Sequence, residues 1–448
     1  MKILLIASNI AESPYAVFPL GISIIANSLI KDGHNVKQYD YLQSGKDLES
    51  LSSLVTEFKP DLIGLSIRNI DNVNILNEQN YLVAVQDIIK KIRPIYNGKV
   101  LLGGSGFSLS PKPILEMTGA DYGIVGEGEK EVCKFAANLQ KGILPQDNII
   151  YADIAKDSSI LSGYYTEDIM KFYLKHGNMA PVQTKRGCLN HCIYCTYPFL
   201  EGKKIRNRPV DEVIKDIRVL TDKFGAKMIF FTDSVFNDSE RNYINLLNEM
   251  KRQKINVPWT GFIQPNGLKR ADVQLMKETG LIAVELGADA ATDITLKAMG
   301  KKFTFDDIVS TYKMFNEFEI SSALYYMIGG PGETKETVLE GIENIKSINN
   351  AVSFIFMGIR ILPNTPLELI ARRENIIQND NNLLDSIYYI SPKIDKEWLE
   401  HTLTEAFKNI RHCLFPPDSH EALLKTVHKL GYSGLMLDKF INRKKISK

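Results

Sequence analysis

Gly187-Cys188-Leu189-Asn190-His191-Cys192-Ile193-Tyr194-Cys195 places three of the chain's five cysteines within eight residues. A C-x3-C-x2-C triplet on one loop offers three thiolates to a single metal centre. A cubic iron–sulfur cluster takes four ligands, so three thiolates leave one iron open to a ligand that is not protein. An open metal position is what chemistry needs and what a structural site avoids. Zinc is the plainer alternative, because Cys188, His191, Cys192 and Cys195 make a Cys3His set. Small structural zinc sites, however, usually draw on two separated pairs, and no second C-x2-C or H-x3-H pair exists here. A disulfide reading leaves an odd thiol and has no secretory context. Cys133 and Cys413 read as ordinary small apolar residues. The pattern favours an iron–sulfur ligand loop.

With Tyr194 directly before the third cysteine, the triplet resembles the signature of the radical S-adenosylmethionine (radical SAM) superfamily. The resemblance implies a [4Fe-4S] cluster on Cys188, Cys192 and Cys195, with SAM chelating the open iron. It implies reductive cleavage of SAM to a 5′-deoxyadenosyl radical, shielded from water at the top of a barrel. It also implies an external electron donor such as flavodoxin or ferredoxin.

Composition sets modest bounds. At 448 residues the chain exceeds one typical core, so two or three domains are expected. With 54 basic and 53 acidic residues, nothing in the overall charge argues for nucleic acid or a membrane surface. The opening Met1-Lys2-Ile3-Leu4-Leu5-Ile6-Ala7 is too short for a signal-peptide core and too strand-like for a targeting helix. No stretch is long and apolar enough to span a bilayer. Sparse cysteines and an oxygen-labile cluster point to a reducing cytoplasm.

Residues 1–140 read as a doubly wound, Rossmann-like α/β domain. Strand Lys2–Ala7 is followed by an apolar helix, Leu20–Ile30, ended by Gly33 before strand Asn35–Tyr39. Further buried runs are Asp61–Ile67, Val100–Leu102 and Asp121–Val125. Strands alternating with helices imply a parallel sheet whose ligand lies over the carboxyl ends of the strands. The turns after these strands contain Ser66-Ile67-Arg68, Gly103-Gly104-Ser105-Gly106 and Gly126-Glu127-Gly128-Glu129. None forms a full G-x-G-x-x-G, so a nicotinamide site is weakly supported. Together with Pro19-Leu20-Gly21, they resemble the cobalamin-binding domain that precedes many radical SAM enzymes.

One departure narrows that resemblance. Many such domains carry D-x-H-x-x-G after the first strand, and its histidine is the lower cobalt ligand. Here the loop reads Ser8-Asn9-Ile10-Ala11-Glu12-Ser13-Pro14, and Asp32-Gly33-His34 lies instead at a helix-to-strand turn. The resemblance therefore implies cobalamin without a protein histidine. By position Arg68 either occupies the lower face or is a surface, phosphate-contacting arginine.

Residues 141–180 read as a connector, 181–375 as a partial (β/α)6 barrel and 376–448 as a helical C-terminal region. The expected barrel strands are Pro181–Thr184, Met228–Thr232, Trp259–Ile263, Ala283–Leu286, Ala323–Ile328 and Phe354–Ile361, with helices such as Val210–Lys223 and Asp306–Phe318 between them. Chemistry in barrels sits at the carboxyl ends of the strands. By the family resemblance, Asp233 and Ser234 would meet the SAM amino group, Glu285 the ribose, and Gly330, Gly332 and Glu333 the adenosine. Backbone near Tyr194 would meet the adenine edge, and Gln264 lies at the end of the third strand. Any one of these alone also reads as a helix cap or tight turn. Tyr388-Tyr389 reads as core packing rather than pocket lining, Glu397–Ile410 as an amphipathic helix, and Gly431–Asn442 as a shorter one before the solvated Arg443-Lys444-Lys445.

The resemblance implies a cobalamin-dependent radical SAM methyltransferase. One SAM would methylate the corrin and a second would give the radical, and the substrate carbon would then take methyl from methylcobalamin. Positioning would carry the catalysis. A radical cyclase, ring-rearranging or oxidative enzyme would use the same cofactors without methyl transfer, and a non-catalytic carrier would not cleave SAM. The acceptor, whether small molecule, lipid or peptide, is not written in the sequence.

Overall fold

The computed structural model describes residues 1–12, 15–154, 160–419, 421 and 437. Its N-terminal sheet contains β1 (Lys2–Ala7), β2 (Asn35–Asp40), β3 (Leu62–Ser66), β4 (Lys99–Gly103), β5 (Tyr122–Val125) and β6 (Ile149–Tyr151). All neighbours are parallel, in the order β2-β1-β3-β4-β5-β6. The order reverses between β1 and β3, and ligands of such sheets bind at that switch point. β1 is apolar at successive positions because both of its faces are covered. Leu4 and Ile6 join one core with Val85, Ile88 and Ile89, whereas Ile3 and Leu5 join another with Ile22, Ala26 and Leu29.

The five expected strands of this sheet are present. β6 is an addition, lying within the stretch read as a connector. Its three residues are too few to show a periodicity, and they form a strand because β5 offers an edge.

The second sheet begins with β7 (Ala180–Val182). A short antiparallel pair follows, β8 (Lys185–Arg186) with β9 (Arg206–Asn207), and these strands are the two stems of the cysteine loop. Next come β10 (Ile229–Phe231), β11 (Trp259–Ile263), β12 (Ala283–Asp289), β13 (Ser321–Ile328) and β14 (Val352–Met357). β15 (Ile359–Arg360) pairs antiparallel with β16 (Tyr388–Tyr389), and β17 (Cys413–Leu414) adds a parallel edge to β14. The sheet runs β17-β14-β13-β12-β11-β10-β7 and stays open between its two edges.

The expected six barrel strands are all found, with two differences. The last divides at Gly358, whose φ of +70° turns the chain out of the sheet. β17 is a seventh, unexpected strand of two residues. The helix read over 210–223 is α-helical at Val210–Arg218 and widens to a π-turn at Val219–Lys223. Helix Lys396–Phe407 matches its expectation within three residues at the carboxyl end. Tyr389 is packed in the core, as read, and its hydroxyl donates to Glu374 at 2.7 Å. The expected Gly431–Asn442 helix and the basic run after it lie outside the described residues. Among the described residues no helix is long and apolar enough to cross a membrane.

Candidate active site

The carboxyl ends of the two sheets face each other, and four sets of contacts fix them. Tyr15, beyond β1, donates its hydroxyl to Glu285 of β12 at 2.9 Å. Asp71, beyond β3, accepts from Arg360 at 2.7 Å, with both side chains buried. Asn364 donates to the Leu109 carbonyl at 3.1 Å. Glu127 and Glu129, beyond β5, pair with Arg206 and Arg186 on the stems of the cysteine loop, the Arg186–Glu129 contact being 2.6 Å. The carboxyl-end loops of the two sheets therefore meet at one shared interface.

The cysteine loop is held at its base by backbone. Gly187 has a φ of +95°, and a Cβ there would stand 2.0 Å from the Lys204 carbonyl oxygen, so only glycine fits. Cys188 N–H donates to Gly202 at 3.1 Å, and the Ser234 hydroxyl donates to the Gly187 carbonyl at 3.1 Å. Glu201 accepts from the Gly187 N–H at 3.0 Å. Cys188, Cys192 and Cys195 are all free thiols. Burial raises the Cys188 thiol above its ordinary range and pushes Cys195 up to about 12, with neighbouring sulfur adding to both. Such thiols become thiolates only beside strong positive charge. Among the described residues no three His, Cys, Asp or Glu side chains lie close enough to grip a single ion. Three free thiols on one loop suit a cluster that takes three protein ligands and leaves one iron open.

A cavity of about 110 Å³ adjoins the loop, lined by Cys188, Asn190, Ser234, Gln264, Asn266 and Lys302 among others. Gln264 accepts from Asn190 at 3.1 Å, and the buried Asn266 Oδ1 has no hydrogen-bond partner among the described residues. Two expected SAM-site residues, Ser234 and Gln264, thus meet the expected cluster ligand Cys188 in one place. Asp233 does not line this cavity. Its carboxylate accepts from the Thr184 N–H at 2.7 Å, the Thr184 hydroxyl at 2.5 Å and the Lys185 N–H at 3.2 Å, which anchors the strand entering the loop. Burial holds it above the usual carboxylate range, opposed by Lys185.

Glu333 likewise serves its own turn, accepting from the N–H groups of Gly329 and Gly330, the latter at 2.6 Å. Burial lifts its carboxyl to about 7. Gly332, with φ +83°, sets that turn against Ala298, and Gly330 packs against Ile359. Glu285 accepts from Tyr15 and from Tyr325, at 2.9 and 3.3 Å, and burial lifts it to about 7. It lies on the inward face of β12, with Phe262 beside it in register and the Phe230 ring 5.3 Å from Phe262.

Asp289 belongs to a group that sequence reasoning missed. Lys301 ion-pairs with Asp289 and donates to the Tyr194 hydroxyl at 3.0 Å and to Cys192 Sγ at 3.1 Å. Burial alone would lower the ammonium, but Asp289, Tyr194 and Cys192 together hold it well above its usual value. The register of β12 shifts between Leu286 and Asp289, where φ is +65°, so simple alternation does not place Asp289, and no local pattern points to Lys301 or Tyr15.

In the N-terminal sheet, Gly104 (φ +98°) leaves room for the Ile67 carbonyl, which a Cβ would approach to 2.4 Å, and Gly106 packs on Ile67 as well. Gly21, one residue inside the helix that Leu20 begins after Pro19, has nothing within 4 Å of where a Cβ would stand. Gly103 would meet only the Ile124 carbonyl, at 3.9 Å. These bare backbone surfaces suit a broad, flat ligand. Gly126 (φ +89°) turns the chain after β5, and Gly128 leads the helix that carries Glu129, so this segment's acids face arginines rather than open space. Ser105 donates to the Arg68 carbonyl at 2.6 Å, the Ser66 hydroxyl lies beside Gly104, and the Arg68 side chain is exposed. Its charge is felt by Tyr15, Tyr81, Tyr173 and Tyr197. His34 lies at the opposite, amino end of the sheet, 3.3 Å from the Met1 nitrogen.

The Radical SAM superfamily model matches residues 182–345, and the B12 binding domain model matches residues 7–136. Residues 182–345 thus carry a radical SAM domain and residues 7–136 a B12-binding domain. It is 25% identical over 350 residues to an uncharacterized methyltransferase of Pyrococcus horikoshii, covering 74% of this chain and 73% of that one. It is 22% identical over 438 residues to the tryptophan 2-C-methyltransferase of Streptomyces laurentii, covering 80% and 72%. The solved radical SAM methyltransferase TsrM from Kitasatospora setae, with cobalamin and a [4Fe-4S] cluster bound, has the same fold. That match has a TM-score of 0.86 at 20% identity, over 98% of this chain and 97% of that one.

Proposed function

We propose that this radical SAM protein is a cobalamin-dependent methyltransferase whose acceptor is an unactivated carbon. The observation that carries the proposal is the joining of the loops beyond β5 to the stems of the cysteine loop through Glu127, Glu129, Arg186 and Arg206, which sets the carboxyl ends of the two sheets against each other. When bound, the cluster and SAM supply one-electron cleavage chemistry, and the corrin supplies a methyl donor.

The chain's own residues position and shield. Cys188, Cys192 and Cys195 would hold the cluster, and Ser234, Gln264, Asn190 and Asn266 would orient the ligand beside it. Tyr194 braces the loop through Lys301. Gly21, Gly103 and Gly104 would let the corrin lie close to backbone. Arg68, exposed at the end of β3, would stand at its lower face where a histidine is missing. An arginine cannot coordinate cobalt, so Arg68 would contribute charge beside the corrin without supplying a metal ligand. Phe230 and Phe262 line the lumen and keep water from it, while Glu285, clasped by Tyr15 and Tyr325, is a carboxyl able to hold or release a proton near neutral pH. Electrons would come from a flavodoxin or ferredoxin, because Cys133 and Cys413 lie outside the triplet and offer no second cluster site.

The test is to incubate the reconstituted enzyme with cell extract and SAM bearing a deuterated methyl group. The expected result is a product heavier by one methyl-for-hydrogen exchange and carrying the label. SAM cleavage with an unlabelled product would instead support a rearranging or oxidative enzyme.

A further inference from the structure

Lys301 is an unusual residue to find against a metal ligand. Its side chain is only 8% exposed, and Asp289, its ion-pair partner, is 13% exposed. Its ammonium is 5.2 Å from the centre of the Tyr194 ring and 5.8 Å from that of Phe303. Within this cage it donates to the Tyr194 hydroxyl and to Cys192 Sγ. Lysine carries two to three donors on a flexible stem, and burying it costs side-chain entropy and hydration. Asp289 offsets that loss and holds the cation in one place. A salt bridge at the surface would need none of this enclosure.

We propose that the Asp289–Lys301 pair sets the reduction potential of the cluster, Lys301 acting as a positioning residue through Cys192. The inference rests on reading the triplet as a cluster site. Reduction adds one electron, supplied by the donor or titrant, to a cluster already bearing negative thiolates. A fixed cation on one thiolate stabilises that added charge, and hydrogen bonds to sulfur raise cluster potentials generally. Poor access of water keeps the effect from being screened. Asp289 has the opposite sign and works against Lys301, so the two residues have separable electrostatic effects although they form one structural unit.

That difference of sign makes the test. Lys301→Met, Lys301→Arg and Asp289→Asn would be reconstituted, their iron and sulfide measured, and each titrated potentiometrically without SAM while the reduced cluster is followed by EPR. Lys301→Met is expected to lower the reduced-to-oxidised ratio at the wild-type midpoint roughly tenfold, a shift of about 59 mV for one electron. Asp289→Asn is expected to raise that ratio, and Lys301→Arg to stay near wild type. Met and Asn variants that shift in the same direction, or a Met variant within about twofold of wild type, would overturn the inference. Absence of iron and of a cluster signal in the wild-type protein would refute the cluster reading itself, a result visible before any potential is measured.

Discussion

Glu285 is the residue whose environment departs most from what its type suggests. It is a carboxyl among aromatic side chains, bonded to one tyrosine from each half of the molecule. Burial raises its pKa to about 7 from an ordinary value of 4.5. Because the folded state keeps the proton over that interval and the unfolded state does not, stability is highest below the unfolded value and declines as pH rises through 7. A separation of this size corresponds to about 3 kcal/mol. Glu285→Gln cannot ionise, so urea denaturation at pH 5 and pH 8 should show a smaller loss for it than for wild type. Equal losses would contradict the assignment. Glu333 is raised to about the same value and contributes in the same direction, so wild type should retain part of the slope even in the glutamine variant.

At the scale of elements, the cysteine loop depends on its two short stems. Gly187→Ala forces a side chain into the Lys204 carbonyl, and iron bound per chain should fall well below wild type after reconstitution while far-UV circular dichroism is retained. Full iron loading in that variant would contradict the role of this glycine. The stems are held in turn by Arg186 and Arg206. Arg206→Ala removes the closer cation from buried Glu127 but leaves it Arg186 at 3.4 Å, so it should destabilise clearly yet by less than the ~3–5 kcal/mol of a fully uncompensated buried charge. Arg252→Ala, which breaks an exposed pair with Glu249, should leave stability close to wild type. Equal effects would show that the stem pairs are ordinary surface contacts.

These elements also show what a sequence reveals. β1 and β13 were legible because apolar runs between turn residues are local patterns, and the cysteine loop because its spacing is local as well. β6 and β17 exist only because a neighbouring strand offers an edge, which no local pattern records. The same holds for side chains. Ser234 and Gln264 were placed beside the loop by their strand ends, whereas Asp233, at an equally plausible position, turned to unsatisfied N–H groups of Thr184 and Lys185. Glu127 and Glu129 were read as ligand-loop residues, but the arginines that claim their carboxylates come from the other half of the chain. Lys301 reaches Cys192 from more than a hundred residues away in sequence.

At the scale of the whole molecule, the account depends on two parallel sheets that meet at their carboxyl ends. Contacts from β1, β3 and β5 of one sheet reach β12, β15 and the cysteine-loop stems of the other. On the proposed function, this arrangement would put the corrin and the cluster within reach of one substrate. EPR of protein loaded with both cob(II)alamin and the reduced cluster measures this directly. The account predicts that each signal is broadened by the other relative to singly loaded samples. A spectrum equal to the sum of the two separate signals would contradict that arrangement.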